Sequence, residues 1–195
     1  MTGKGYIGQA WLVLILATCF GAGLAVVHIA WQGRIDQNKR NETYDQIPRL
    51  VAGADKELTE EIVIDGRKVL KAFGKGPDGR AAHLGWVVRA SGLGFADRIE
   101  LLIGLSARGD AITGLYVLEQ KETPGLGSKI TGDFQEQFAR KDPAKPLEVT
   151  KDRPAEGANE IRAIAGATVS TRSVCDIVNA ALKGLPGKLA AGAKE

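Results

Sequence analysis

From Trp11 to Ala30 the chain runs Trp-Leu-Val-Leu-Ile-Leu-Ala-Thr-Cys-Phe-Gly-Ala-Gly-Leu-Ala-Val-Val-His-Ile-Ala with no formal charge. Such a run limits the fold more than any other segment. It has about the 20 residues that a helix needs to cross a bilayer, where each backbone N–H and C=O must be satisfied within the segment itself. One transmembrane helix is therefore expected, with Tyr6, Trp11 and Trp31 at the interfaces. The run exceeds the roughly 7–15 apolar residues of a secretory signal, so a retained anchor is expected. Leu16-Ala17-Thr18-Cys19 resembles a lipoprotein cleavage site, but the apolar stretch continues past Cys19. Gly21, Gly23 and Ala25 form a small-residue patch suited to partner helices or facing lipid, and His28 reads as an interfacial ring.

The rest of the chain divides by pattern. Residues 1–32 read as the anchor, 33–58 as a helical juxtamembrane stalk, and 59–195 as one domain. In the stalk, Tyr44, Ile47, Leu50 and Val51 keep helical spacing until Pro48 and Gly53 disturb it. Glu61 to Ile64 and Lys68 to Phe73 flank Asp65-Gly66, a hairpin signal. Leu84, Trp86 and Val88 alternate on a third strand. Ile99 to Leu105 joins Ile112 to Leu118 through Arg108-Gly109-Asp110 as a second hairpin. Phe134 and Phe138 mark a short helix, and Pro143, Pro146 and Pro154 punctuate a loop-rich stretch. Val174, Ile177, Val178, Ala181, Leu182 and Leu185 recur on one helical face. Strands first and amphipathic helices later imply an α+β fold, one N-terminal membrane helix followed by a single sheet-and-helix domain.

Composition narrows the function. With 195 residues and a net charge of +3, acidic and basic residues are interspersed and no basic block alternates with aromatics, so no nucleic-acid partner is expected. Cys19 lies in the membrane run and Cys175 on the C-terminal helix, which argues against a disulfide framework. Cys175 reads as a small buried hydrophobe, although it follows Thr168 by seven residues. Only His28 and His83 are present, too few for a zinc site or a Ser-His-Asp triad; no catalytic residue and no metal ligand is assigned. Gly92-Leu93-Gly94 lacks the third glycine of a dinucleotide fingerprint. The chemistry then has to come from a bound cofactor.

One segment is suited to hold it. In Ile164-Ala165-Gly166-Ala167-Thr168-Val169-Ser170-Thr171, a hydroxyl stands in a Gly-Ala-Thr turn before a helix expected to start near Ser170 or Thr171. Free N–H groups and the positive dipole end favour a phosphate there. Gly166 allows close backbone approach and Ala167 keeps the volume small. The alternative is that Ser170 or Thr171 is an ordinary N-cap. About 40 residues earlier, Glu122-Thr123-Pro124-Gly125-Leu126-Gly127 forms a Pro/Gly-shaped loop.

In this order, the membrane helix, the strand pair, the Glu-Thr-Pro-Gly-Leu-Gly loop and the Gly-Ala-Thr turn resemble the FMN-binding domain family. That family includes RnfG of the Rnf ion-translocating electron-transport complex and NqrC of the sodium-pumping quinone reductase. The resemblance covers most of the chain. It implies that Thr168 bears FMN through a phosphoester made by a separate flavin transferase. It also implies that Thr123, Pro124, Gly125, Leu126 and Gly127 lie against the isoalloxazine ring; Gly166, Ala167, Ser170 and Thr171 of the turn and Glu122, which flanks the loop, complete the candidate cofactor-binding set. Glu122 and Lys129 flank the loop and could tune the flavin electrostatically, although single loop charges are more often solvated. Trp86 could stack near the ring, although a core aromatic on an alternating strand is the simpler reading. Two positions depart from the family, whose turn usually follows Ser or Thr and, three residues earlier, Asp; here these are Ala165 and Arg162. The acceptor hydroxyl, the glycine and the helix remain, and Arg162 is a candidate partner for the phosphate.

The implied partners are the integral membrane and iron–sulfur subunits of an Rnf-type complex, the membrane itself and the flavin transferase. Lys4 before the helix against Arg34, Lys39 and Arg40 after it would place the domain in the cytoplasm by the positive-inside rule. The resemblance implies the reverse, a single-pass protein of the inner (plasma) membrane with its C-terminal domain on the periplasmic side, and that reading is followed. The rivals are a protein of the NqrC type and a membrane-tethered assembly module with no redox role.

Overall fold

The structure, a computed structural model, describes residues 4–76 and 80–192. Two compact units are present, Met1–Asn41 and Glu42–Glu195.

The first unit is made by helix α1 (Lys4–Asp45), whose last residues belong to the second. Its 42 residues extend roughly 63 Å at 1.5 Å per residue, about twice the ~30 Å hydrocarbon thickness of a bilayer. It is the one helix among the described residues long and apolar enough to cross a membrane. Trp11, Leu12, Leu14, Phe20, Leu24 and Ile29 are all exposed. The Thr18 hydroxyl donates to the Leu14 carbonyl at 2.7 Å, so this polar group is satisfied along the helix itself.

The second unit is built on a five-stranded antiparallel sheet in the order β1 (Glu60–Ile64), β2 (Arg67–Lys75), β3 (Ala81–Leu93), β4 (Arg98–Ser106), β5 (Ile112–Glu119). Asp65 (φ 52°) and Gly66 (φ 74°) both adopt the positive φ that a tight two-residue hairpin turn needs. Side chains alternate across the sheet, and both faces are buried. Trp86, Val88, Leu101, Ile103 and Leu105 enter one core cluster, while Leu70, Ala72, Val87 and Leu102 enter another.

The second cluster is closed by Ile47 and Leu50 of α2 (Ile47–Leu50), with Val51 and Ala54 behind them. The stretch read as a stalk over 33–58 is therefore two things. Up to Asp45 it continues α1, and from Ile47 it is core. Pro48 is tolerated because it falls in the first turn of the new helix, where its missing N–H is no loss.

The first cluster is covered by α3 (Thr168–Leu182), which buries Val174, Ile177, Val178 and Leu182. Leu185, expected on the same helix, belongs to α4 (Leu185–Gly192), because Gly184 (φ 72°) breaks α3 first. Arg67 donates to the carbonyls of Ala181 and Lys183 at 2.9 and 3.0 Å, capping the end of α3 from β2. Asn179 exchanges hydrogen bonds of 2.8 and 3.0 Å with the Leu147 backbone. These bonds fix α3 along its C-terminal half.

Between sheet and helix, the segment expected as a short helix is a 3-10 turn, Gly132–Phe138, with Phe134 and Phe138 edge to face at 5.5 Å. The Pro-punctuated stretch contains a parallel pair, β6 (Glu148–Thr150) and β7 (Glu160–Arg162). Three-residue strands are too short to show a period in sequence. Trp86 is buried and donates from Nε1 to the Ala107 carbonyl at 3.1 Å, the core role expected of it. Cys175 is buried in the same core, and burial pushes its thiol up to about 12.

Candidate functional site

The two motifs meet at the N-terminus of α3. Thr123, Pro124, Gly125 and Leu126 form a turn in which the Leu126 N–H bonds the Thr123 carbonyl at 3.2 Å, and Gly125 takes φ 75°. Proline followed by a glycine at positive φ is what a type II turn requires. The Ser128 hydroxyl accepts from the Gly125 N–H at 3.0 Å and steadies that turn. Gly166 turns the chain at φ 79° and lies so near Leu126 that a Cβ there would stand 3.1 Å from its methyl. Leu126 is thus the bridge between the two loops.

The helix begins earlier than its sequence suggested. Thr168 is the first helical residue and Ala167 the N-cap, with no side-chain cap. Neither Ser170 nor Thr171 is the N-cap, because both hydroxyls are engaged inside the fold. Ser170 donates to Glu122 Oε2 at 2.5 Å. Thr171 donates to the Ala167 carbonyl at 3.0 Å and accepts from the Ile164 N–H at 3.1 Å. Both side chains are buried, whereas Thr168 is partly exposed, and among the described residues its hydroxyl takes no hydrogen-bond partner. Of the three hydroxyls in this turn, only that of Thr168 is available.

Thr168 lines an open cleft of about 470 Å³ with Phe95, Thr123, Leu126, Gly127, Gly166, Ala167, Val169 and Ser170. Seven of the residues expected at a site line it, namely Thr123, Leu126, Gly127, Gly166, Ala167, Thr168 and Ser170. The other four, Glu122, Pro124, Gly125 and Thr171, stand around or behind it. Glu122 is not a solvated loop charge. It is 4% exposed, and its Oε1 accepts from the N–H groups of Phe95 and Ala96 at 2.9 and 3.0 Å. Arg162 and Lys129 line a separate groove with Asp133, Gln137 and Ala165, so Arg162 is not on the wall of the Thr168 cleft.

Phe95 and Val169 were missed by sequence reasoning. Phe95 is 66% exposed, Val169 55% and Leu126 45%, and together they give the cleft an apolar rim. A faint signal for Phe95 existed, an aromatic in a Gly-rich hairpin turn, outside any stretch patterned for the core.

These residues fit FMN on two observations. The α3 start has free N–H groups and no capping side chain, so a phosphate on Thr168 can take the capping place. The cleft walls offer an apolar aromatic and aliphatic surface for a flat ring.

Comparison with known proteins agrees. Residues 94–183 match the FMN-binding domain family. The chain is 40% identical over 90 residues to the G subunit of the Na(+)-translocating ferredoxin:NAD(+) oxidoreductase complex of Acetobacterium woodii, covering 46% of this chain and 43% of that one, so this match spans less than half of the relative's length. It is 29% identical over 174 residues to the G subunit of the ion-translocating oxidoreductase complex of Methanosarcina acetivorans, covering 87% and 89%. Among solved structures, NqrC of Shewanella oneidensis superposes with a TM-score of 0.56 at 21% identity, over 73% of this chain and 72% of that one. The C subunit of the Na(+)-translocating NADH-quinone reductase of Parabacteroides distasonis gives 0.60 at 21%, over 80% and 96%. The likeness to these two solved structures shows the fold.

Proposed function

We propose, from the premise that residues 94–183 form an FMN-binding domain like that of the G subunits, that this chain is the membrane-anchored flavoprotein member of an Rnf-type ion-translocating oxidoreductase complex. It relays electrons through FMN joined by a phosphoester to Thr168. The observation that carries the reading is the free, accessible Thr168 hydroxyl at an uncapped helix start, beside two hydroxyls that the fold has already engaged.

Each part of the site has a role. The first N–H groups of α3 and the helix dipole stabilise the phosphate charge. Phe95, Leu126 and Val169 offer apolar surface to the ring and hold water away from it, while Thr123 and the backbone at Gly127 supply polar edges. FMN itself supplies the redox chemistry, accepting and donating electrons singly; the protein holds it and sets its potential. Attachment through Thr168 keeps the cofactor on a domain outside the cytoplasm, where a dissociated flavin would be diluted. Helix α1 anchors the chain in the plasma membrane, and ion movement is left to multi-helix partner subunits, since its apolar span carries no charge to line a path. Maturation requires a flavin transferase.

Flavin fluorescence of the denatured chain on a gel, with the native chain and Thr168→Ala each produced beside a flavin transferase, tests the reading. Fluorescence in the native chain alone is the expected result. A fluorescent Thr168→Ala band, or a colourless native one, would overturn it.

A further inference from the structure

We propose that Glu122 is the positioning residue of this site: its buried carboxylate ties three separate segments together and so fixes where Thr168 and Phe95 stand at the cleft. The inference rests on the reading of Thr168 as the flavin acceptor.

The carboxylate reaches three chain segments at once. Oε1 accepts from the N–H groups of Phe95 and Ala96 in the β3–β4 turn, at 2.9 and 3.0 Å. Oε2 accepts from the Ser170 hydroxyl in the first turn of α3, at 2.5 Å. Glu122 itself opens the Thr-Pro-Gly-Leu-Gly loop, and its own N–H is fixed by the Gln120 side chain at 2.7 Å. Phe95, the loop and the α3 start are the cleft walls. A carboxylate that is 4% exposed costs free energy unless its oxygens are bonded, and here three donors satisfy them.

The surrounding sequence makes room for this group. A Cβ on Gly94 would stand within van der Waals exclusion of Glu122 Oε1, and a Cβ on Gly127 would lie 2.8 Å from both Glu122 Cβ and Ser170 Oγ. Two chain segments have given up side chains around one carboxyl group. Phe95 is thereby held with its ring outward and exposed, and Thr168, two residues from Ser170, is held with the first turn of α3.

Position matters because of the chemistry of attachment. The Thr168 Oγ1–P bond forms as a P–O bond of an activated phosphoanhydride of FMN breaks. The bridging oxygen leaves on the second phosphate with the bonding electron pair, and the hydroxyl proton is released to solvent. A displacement of this kind needs the nucleophile held in line, and a small misplacement lowers the rate steeply. Glu122 does not touch the reacting atoms.

The test measures the rate of covalent flavin incorporation into the full chain by a flavin transferase, with amide hydrogen exchange at Phe95 and Ala96 as an independent readout. Glu122→Ala is expected to lose at least tenfold in rate and the protection of both amides. Glu122→Gln keeps an acceptor for the two amides and an N–H for Ser170 Oγ, so it is expected to retain that protection and stay within about threefold of the native rate. Ser170→Ala opens one arm of the tie and is expected to slow incorporation several-fold while leaving Phe95 and Ala96 protected. Native rates in Glu122→Ala or Ser170→Ala would overturn the proposal. So would a Glu122→Gln chain that is protected at both amides yet as slow as Glu122→Ala, because charge rather than position would then be acting. A native chain that takes no flavin would instead refute the reading of Thr168, with amide protection in the variants still reporting whether the tie exists.

Discussion

Gly127→Ala is expected to destabilise the domain through packing alone. The added Cβ would meet Glu122 Cβ and Ser170 Oγ, both at 2.8 Å, and Glu122 Oε2 at 2.9 Å. Overpacking costs about 1–3 kcal/mol, and the upper part of that range applies because Glu122 and Ser170 are bonded to each other and cannot swing away. A loss of about 2–3 kcal/mol corresponds to roughly 4–12 °C in Tm for a domain of this size. Urea unfolding followed by Trp86 fluorescence, in a chain with Trp11 and Trp31 changed to Phe, measures it. Gly125→Ala is the control: it has open space around it but φ 75°, so it is strained by about 1–2 kcal/mol through the backbone. Ser170→Ala relieves one of the contacts, so Gly127→Ala and Ser170→Ala should couple by about 0.5 kcal/mol or more, while Gly125→Ala and Ser170→Ala add. A Gly127→Ala chain within about 0.5 kcal/mol of native, or strict additivity with Ser170→Ala, would refute the argument.

Other consequences concern the core and its titratable groups. Ile103→Ala removes a side chain with no exposure and should cost about 2–5 kcal/mol, read in the same urea titration. Cys175, pushed up to about 12 by burial and, less, by Asp176, should be inert to thiol reagents at about pH 8 in the folded chain and react only on unfolding. Burial chiefly, and Lys71 in addition, lower the His83 pKa from its ordinary 6.5. The folded state then resists a proton that the unfolded state binds, so this contribution is complete above pH 6.5 and lost as pH falls through the folded value. His83→Gln should flatten that part of the stability profile, and an unchanged profile would count against it.

Much of this was legible because it rests on local chemistry. Asp65-Gly66, the alternation through Trp86 and Val88, and the Pro-Gly of the loop each specify their own turn or strand. The meeting of Gly166 with Leu126 could be expected only from the resemblance, since nothing in either segment points at the other. What sequence hid is tertiary. Glu122 looked solvated because its three donors lie 26 to 48 positions away. Phe95 was invisible as a site residue because an exposed aromatic carries no periodicity. The helix start was misplaced by two or three residues because Ser170 and Thr171 are good N-caps by type, yet their hydroxyls are taken by Glu122 and by the Ala167 carbonyl.

The central claim is that one hydroxyl of this turn carries the flavin, and peptide mass spectrometry tests it most directly. Trypsin releases residues 163–172, a single peptide that contains Thr168, Ser170 and Thr171. Fragmentation of that peptide from chain matured beside a flavin transferase should place the mass of FMN less water on Thr168. The same mass on Ser170 or Thr171, or an unmodified peptide throughout, would contradict the account.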